Sequence, residues 1–318
     1  MLSEYYKAAT KGAAITELDL FGIVKLTGGD RVSWLQGMIT NDVDKLASGA
    51  GCYAAHLTSQ GKMVAQMRIF KDDDALWLSL ERAAIPKLIA AFDKLLIMED
   101  VQVTDVSDDY AVLTVTGERA KEHMDAWLGK PLNLPGLYSH LKADDSRIIV
   151  SQLGYELWIP RAQADGVLRF FAEHGVTAID RGTWDVLRTE AGIPIYGFDI
   201  DETTTMPELG EDGINYQKGC YIGQEVVAKV KYIGHVNRRF VGLVINGNDL
   251  PEMKSSIRKG GRDVGYVTTA LFSPGLNRPI ALGFVSRSAY AAGSEVEVGA
   301  GTATIVDLPF NRSNHSEA

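Results

Sequence analysis

The chain has 318 residues, 46% of them hydrophobic, with 32 basic and 41 acidic side chains and a formal net charge of −9. That length exceeds what one hydrophobic core serves and predicts two or three domains. The negative balance opposes nonspecific attraction to nucleic acid or anionic lipid, no stretch is long and apolar enough to span a bilayer, and two cysteines, Cys52 and Cys220, offer neither a disulfide framework nor zinc spacing.

The opening Met1–Lys7 stretch has no apolar signal region, so the expected compartment is a reducing cytoplasm. Ile15–Leu26 reads as strands broken near Gly22. Gly28-Gly29-Asp30 turns into a helical pattern with Asp30 as N-cap and Val32, Leu35 and Ile39 on one face; Trp34 reads as core. Cys52–Leu57 and Met63–Phe70 form a hairpin around Ser59-Gln60-Gly61-Lys62, where Cys52 reads as an inert thiol. Ala75–Leu80 is a third strand, Ala83–Ile97 a helix with Pro86 in its first turn, and Val101–Val106 a strand. The cluster Asp72-Asp73-Asp74 reads as loop charge. No glycine-rich phosphate loop follows any strand.

Tyr110–Thr116 is a strand, Glu118–Leu128 a helix ended by Gly129, and Lys130–His140 a surface loop. Arg147–Gln152 and Tyr155–Pro160 make a hairpin. Asp165–His174 is a helix with Gly175 at C′, and Arg181–Ala191 another, stopped by Gly192 and Pro194. From Arg238 onward the pattern becomes short strands: Phe240–Ile245, Val264–Thr269, Pro279–Val285, Glu295–Val298 and Thr302–Val306. Turn residues separate them, the signature of a small antiparallel barrel or sandwich. Asn311–Ala318 is polar and expected to fray. The domains expected are 1–236 and 237–318. Mixed strands, hairpins and helices argue an α+β class.

The stretch richest in chemistry is Lys218-Gly219-Cys220-Tyr221-Ile222-Gly223-Gln224-Glu225. A thiol at a tight turn, near an ammonium and free N–H groups, tends toward thiolate. It suits a nucleophile, a redox thiol or a ligand clamp. The alternative is a turn whose cysteine is a small buried residue. Spacing alone leaves the two readings level.

This stretch resembles the signature of the YgfZ-type folate-binding proteins, a branch of the glycine-cleavage T-protein (aminomethyltransferase) superfamily. Trp34–Val43, Arg188–Pro194, Ser273-Pro274 and Pro279–Gly283 resemble further motifs of that superfamily, so the resemblance covers nearly the whole chain. It implies a folate-binding core of two α+β subdomains plus a C-terminal antiparallel β-barrel, with tetrahydrofolate or a reduced derivative as cofactor. It also implies that Glu190 contacts the pterin; by itself, Glu190 reads as a helix glutamate that is solvated or paired with Arg188 or Asp185. Cys220 and Lys218 are the candidate catalytic pair. Lys229, Lys231, Arg238 and Arg239 form a basic run that could receive the folate tail or RNA phosphates, or simply be solvated; Arg238 and Arg239 are the candidates for the tail, and no metal ligand is expected. The family pattern has arginine where Lys229 stands.

One departure matters. Aligned through Gln60–Val64, the catalytic aspartate pair of the T-protein branch falls on Ala65 and Gln66. Alanine neither takes a proton nor stabilises a cation. The leading reading is therefore a tetrahydrofolate-binding auxiliary protein for iron–sulfur cluster assembly or repair, acting indirectly on tRNA modification, with iron–sulfur client or assembly proteins as partners. The alternatives are a folate-dependent one-carbon transferase and a non-catalytic module that modulates tRNA modification through iron–sulfur enzymes. A monomer is expected, with no direct nucleic-acid partner and no membrane.

Overall fold

Strands form where side chains can be covered, and the segment from Gly51 to Lys71 shows it. In the computed structural model, which describes residues 2–310, Gly51–Leu57 and Met63–Lys71 pair antiparallel as the two runs around Ser59–Lys62 predict. The expectation for Asn311–Ala318 lies outside the described residues. The chain divides into two units: residues up to Thr183 together with Asp212–Glu225, and Trp184–Glu211 together with the residues from Val226 on. Among the described residues no helix is long and apolar enough to cross a membrane.

The first unit holds two sheets. One has the order Gly51–Leu57, Met63–Lys71, Leu76–Glu81, Phe21–Thr27, Gln102–Asp105, antiparallel throughout. Leu76–Glu81 is buried along its whole length, as a central strand covered on both faces must be. The other has the order Thr177–Ala178, Ala14–Glu17, Tyr110–Thr116, Gly154–Pro160, Ser146–Ser151, His140–Ala143, with only the first pair parallel. Its core joins Leu113, Val115, Leu157 and Ile159 to Met124 of helix Ala120–Leu128 and Phe171 of helix Ala164–Glu173. Burying apolar area at roughly 25 cal/mol per Å² is the driving term for such a core.

Several sequence expectations shift for physical reasons. The break expected near Gly22 falls at Leu18–Leu20 instead, and Gly22 lies inside Phe21–Thr27. There a Cβ would come within 2.4 Å of Ser107 Oγ and 2.5 Å of Ile85 Cδ1, so glycine is demanded by close packing rather than by a turn. Asp30 stands at the N-cap of helix Arg31–Met38, but its carboxylate accepts the Asp100 N–H, not a helix N–H. The helix expected over Ala83–Ile97 is a 3-10 turn, Arg82–Ala84, followed by Ile85–Asp93, and Ile97 is left exposed. Trp34 is core, edge-on to Phe92 at 4.9 Å. The strands His140–Ala143 and Ser256–Lys259 were not expected. Each has four residues, too short to show periodicity, and each pairs across a two-residue turn with the strand that follows it, Ser256–Lys259 also with Glu295–Val298.

Between the two sheets of the first unit runs a buried polar layer. Arg68 donates to Glu156 at 2.5 Å and to Ser79 at 2.6 Å, while Trp158 Nε1 donates to the other Glu156 oxygen at 2.8 Å. Arg147 forks onto both Asp72 oxygens at 3.0 and 2.6 Å. Such pairs specify register strongly, because leaving one partner buried alone costs several kcal/mol.

In the second unit six strands close into an antiparallel barrel in the order Arg238–Asn246, Arg278–Ser286, Arg262–Ser273, Ser256–Lys259, Glu295–Val298, Gly301–Val306. Leu243, Ile257, Val267, Val285 and Ile305 are among the side chains that fill it. Closure leaves no edge to aggregate.

The polar layer predicts an acid-labile point. His140 is buried, with Nδ1 3.3 Å from Arg147 Nη1, and burial followed by the Arg147 charge pushes it down to about 4, with Asp72 opposing. The unfolded chain takes this proton near pH 6.5 and the folded one only near 4. Stability is therefore complete above 6.5 and is lost as pH falls toward 4, by on the order of 2–3 kcal/mol. His140→Gln should flatten that limb of a urea-denaturation profile measured from pH 7.5 to 4; an unchanged slope would assign the acid limb to other groups.

Candidate functional site

Helix Arg181–Glu190 begins where Asp180 accepts from the Thr183 N–H and hydroxyl, both at 2.8 Å. It ends where Gly192 takes φ +72° and Ile193 N–H reaches back to Arg188 O at 2.9 Å. Glu190, the last residue, is 3% exposed. Its Oε1 accepts the Ser273 hydroxyl at 2.5 Å and its backbone carbonyl accepts the Phe310 N–H at 2.9 Å. Arg188, one of its expected partners, points elsewhere: Nε meets Asp185 at 2.8 Å, Nη1 meets Asp199 at 2.7 Å and Nη2 meets Thr269 at 3.3 Å. Asp199 also accepts from Thr268, Thr269 and the Ile195 N–H. This buried network anchors the helix end to strand Arg262–Ser273. Sequence reasoning missed Asp199 and the threonines, and it quoted Ser273 only as part of a motif.

The stretch 218–225 lies in the first unit. Lys218 Nζ donates to the carbonyls of Gln36 at 2.6 Å, Ile39 at 2.7 Å and Asn41 at 2.8 Å, and Ile222 N–H donates to Gly37 O at 3.2 Å. Gln36 and Gly37 lie in the last turn of helix Arg31–Met38, Ile39 is its C-cap and Asn41 lies in the loop beyond, so the ammonium sits at the helix C-terminus as a cation should. The two motif stretches 34–43 and 218–225 thus meet through one side chain. Thr40 strengthens the join by donating to Gly213 O at 2.6 Å. Gly223, at φ +84°, sits where a Cβ would be 2.7 Å from Thr58 O, so only glycine fits.

The Lys218 ammonium, expected to act with Cys220, is committed to the three carbonyls of Gln36, Ile39 and Asn41. Lys218 is 7% exposed, and burial pushes it down to about 8, opposed by Asp42 and Cys52. It is Cys52 that feels its charge; burial outweighs this and pushes the Cys52 thiol up to about 12. Cys220 is exposed on the turn.

Of the basic run, Arg238 is committed: Nε pairs with Glu208 at 2.9 Å, Nη1 reaches Tyr266 Oη at 3.2 Å, and its guanidinium lies 4.5 Å from the Phe284 ring centroid. Lys231 pairs with Glu211 at 2.5 Å. Arg239 is exposed and rests over Tyr290 at 4.7 Å. At the expected aspartate positions, Ala65 is buried, and Gln66 is held between Tyr53, which donates to its Oε1 at 2.6 Å, and Glu81, which accepts from its Nε2 at 2.8 Å. Burial, then Glu81, pushes the Tyr53 phenol far up.

Comparison with known proteins agrees with this architecture. The family described as GCVT N-terminal domain matches residues 2–214, and the glycine cleavage T-protein C-terminal barrel domain matches residues 238–311. An aminomethyltransferase of Thermoanaerobacter sp. (strain X514) is 26% identical over 313 residues, covering 94% of this chain and 84% of that protein. One from Listeria monocytogenes serotype 4b (strain CLIP80459) is 27% identical over 320 residues, covering 96% and 88%. The crystal structure of the glycine cleavage system aminomethyltransferase T from Bartonella henselae shares the fold, with a TM-score of 0.90 at 19% identity over 99% of this chain and 90% of that one.

Two measurements follow. Limited iodoacetamide labelling mapped by mass spectrometry should modify Cys220 well before Cys52 at neutral pH, since one thiol is exposed and the other desolvated; first labelling at Cys52 would contradict the placement of the turn. Asp199→Ala should cost about 3–5 kcal/mol in equilibrium unfolding of the full chain, because it strands the buried Arg188 guanidinium. A loss under 1 kcal/mol would mean that Arg188 finds water instead.

Proposed function

We propose that this chain, which belongs to the glycine-cleavage T-protein family, binds a reduced folate of the tetrahydrofolate type and uses it in one-carbon chemistry. Glu190 carries the reading. A pterin presents an amide N–H beside an amino group, and one carboxylate can accept both. Glu190 is a buried carboxylate fixed by a hydroxyl at the end of an anchored helix, which fits that edge. A bound tetrahydrofolate would supply the nitrogen that carries the one-carbon unit. The chain's own part is to hold the ring through Glu190 and to exclude water around it. Arg239, exposed where Arg238 is paired, is the better candidate for the anionic tail. Cys220 is the candidate reactive group, with Lys218 holding its turn closed rather than activating the thiol.

A second reading is an auxiliary role in iron–sulfur cluster assembly or repair, with indirect effects on tRNA modification. Two observations favour it: Ala65 stands where the resemblance places an aspartate, and Cys220 is presented to solvent beside a capped helix. The one-carbon reading has in its favour relatives named aminomethyltransferase that match 94% of the chain or more.

Titration calorimetry should show tetrahydrofolate binding that Glu190→Gln weakens by about 1–3 kcal/mol, the cost of leaving donors of a buried ring edge unpaired. Equal affinities would remove Glu190 from the site. Turnover of an aminomethyl-lipoyl donor with folate present decides for the transferase. Loss of several iron–sulfur enzyme activities in a deletion strain, with the enzymes' protein levels unchanged, decides for the auxiliary role.

A further inference from the structure

A cavity of about 180 Å³ opens in the first unit where its two sheets meet. Lys25 and Trp77 line it from the sheet that contains Phe21–Thr27 and Leu76–Glu81, and Tyr110, Arg147 and Trp158 line it from the other. Its floor is buried: Trp158 is 0% exposed, Arg147 4% and Trp77 8%. Lys142 and Asp145, both exposed, stand at its mouth. Glu190, Cys220 and Gln66 are not among its lining residues.

The lining combines positive charge with ring surface. Arg147 is neutralised by Asp72, yet it spends only three of its five N–H donors, two on that carboxylate and one on His140. Lys25 lies 4.9 Å from the Trp77 ring centroid, and neither it nor Lys142 has a carboxylate partner among the described residues. Set against Asp145, the two lysines leave a surplus of one positive charge, in a chain whose net charge is −9. The indole N–H groups are used elsewhere, Trp77 on Asp72 at 3.0 Å and Trp158 on Glu156 at 2.8 Å, so both rings offer the cavity carbon surface. Burial pushes the Tyr110 phenol up, with Arg147 opposing and Asp145 adding, which keeps it a neutral donor at pH 7.

We propose that this cavity is a ligand site separate from Glu190 and Cys220, and that it takes a small aromatic carboxylate. One negative charge matches the surplus, and Lys25, Arg147 and the Tyr110 hydroxyl supply donors for a carboxylate. A flat ring packs against Trp77, Tyr110 and Trp158 in offset or edge-on contact. Pockets for drug-sized ligands run from about 300 Å³ upward, so this volume selects a molecule of one ring. The inference stands apart from the folate reading.

Heteronuclear NMR of the full-length protein tests it, with sodium benzoate as the probe. The chain has five tryptophans, whose indole N–H signals can be assigned with Trp→Phe variants. Benzoate should move the Trp77 and Trp158 signals saturably and leave those of Trp34, Trp127 and Trp184 in place. Acetate and benzamide should each bind at least about tenfold more weakly, because one lacks the ring and the other the charge. Lys25→Met should weaken benzoate about fivefold and Lys142→Glu about threefold, as expected for a half-buried and an exposed charge. If Lys25→Met does not fold, Lys142→Glu at the exposed mouth carries the test. Saturating tetrahydrofolate should leave the benzoate affinity unchanged. The proposal is overturned by the absence of a saturable shift, by equal binding of acetate or benzamide, by unchanged affinity in every folded variant, or by displacement of benzoate by tetrahydrofolate. Failure of the chain to bind tetrahydrofolate would overturn the folate reading alone.

Discussion

The buried pair between Arg188 and Asp199 is the constraint on which the candidate site depends. Asp199 has no exposed side-chain surface and Arg188 only 5%. Taking such charges from water costs several kcal/mol each, recovered only if every hydrogen-bonding position is filled. Here they are filled. The guanidinium meets Asp185, Asp199, Thr269 and the Ile193 carbonyl, and the Asp199 carboxylate meets Thr268, Thr269 and the Ile195 N–H as well. A satisfied network of this kind tolerates little displacement, so the last turn of helix Arg181–Glu190 is held against one barrel strand. The position of Glu190 is a consequence.

The same logic operates in the first unit with a lysine. Lys218 collects three carbonyls around the end of helix Arg31–Met38, and Gln36, Thr40 and Asn41 use their side chains to close the surrounding loop. The turn that presents Cys220 is therefore rigid on one side and open to solvent on the other. A thiol so placed is accessible to reagents and partners. Desolvation pushes the half-buried Cys52 thiol up, whereas Cys220 stands in solvent.

Ala65 and Gln66, where the sequence resemblance expects aspartates, bring no charge to their surroundings. A carboxylate there could stabilise a developing cation; an amide locked between Tyr53 and Glu81 carries no charge and has both ends engaged. Shared architecture with an aminomethyltransferase does not by itself carry over an activity, because activity belongs to the residues of a site and not to the fold.

Much of this was legible from the chain alone. Apolar runs separated by turn residues marked the hairpin Gly51–Lys71 and most barrel strands, because turn chemistry is a nearest-neighbour property. Gly129, Gly175 and Gly192 marked helix ends, because a left-handed residue is a local demand met by glycine. The motif stretches pointed to Glu190 and Cys220. What the chain could not disclose was which charges meet. Lys218 finds its carbonyls 177 to 182 residues away, Glu190 finds Ser273 at a separation of 83, and Arg188 finds Thr269 at 81. Adjacency in sequence set Lys218 beside Cys220; folding commits its ammonium to the carbonyls of Gln36, Ile39 and Asn41. The strands His140–Ala143 and Ser256–Lys259 are too short to announce themselves and are recognisable only once the strand that follows each one is paired with it. Conformational preference is decided within a few residues, but the energy of a charge or a hydrogen bond depends on distance in space, and the tertiary structure alone determines that.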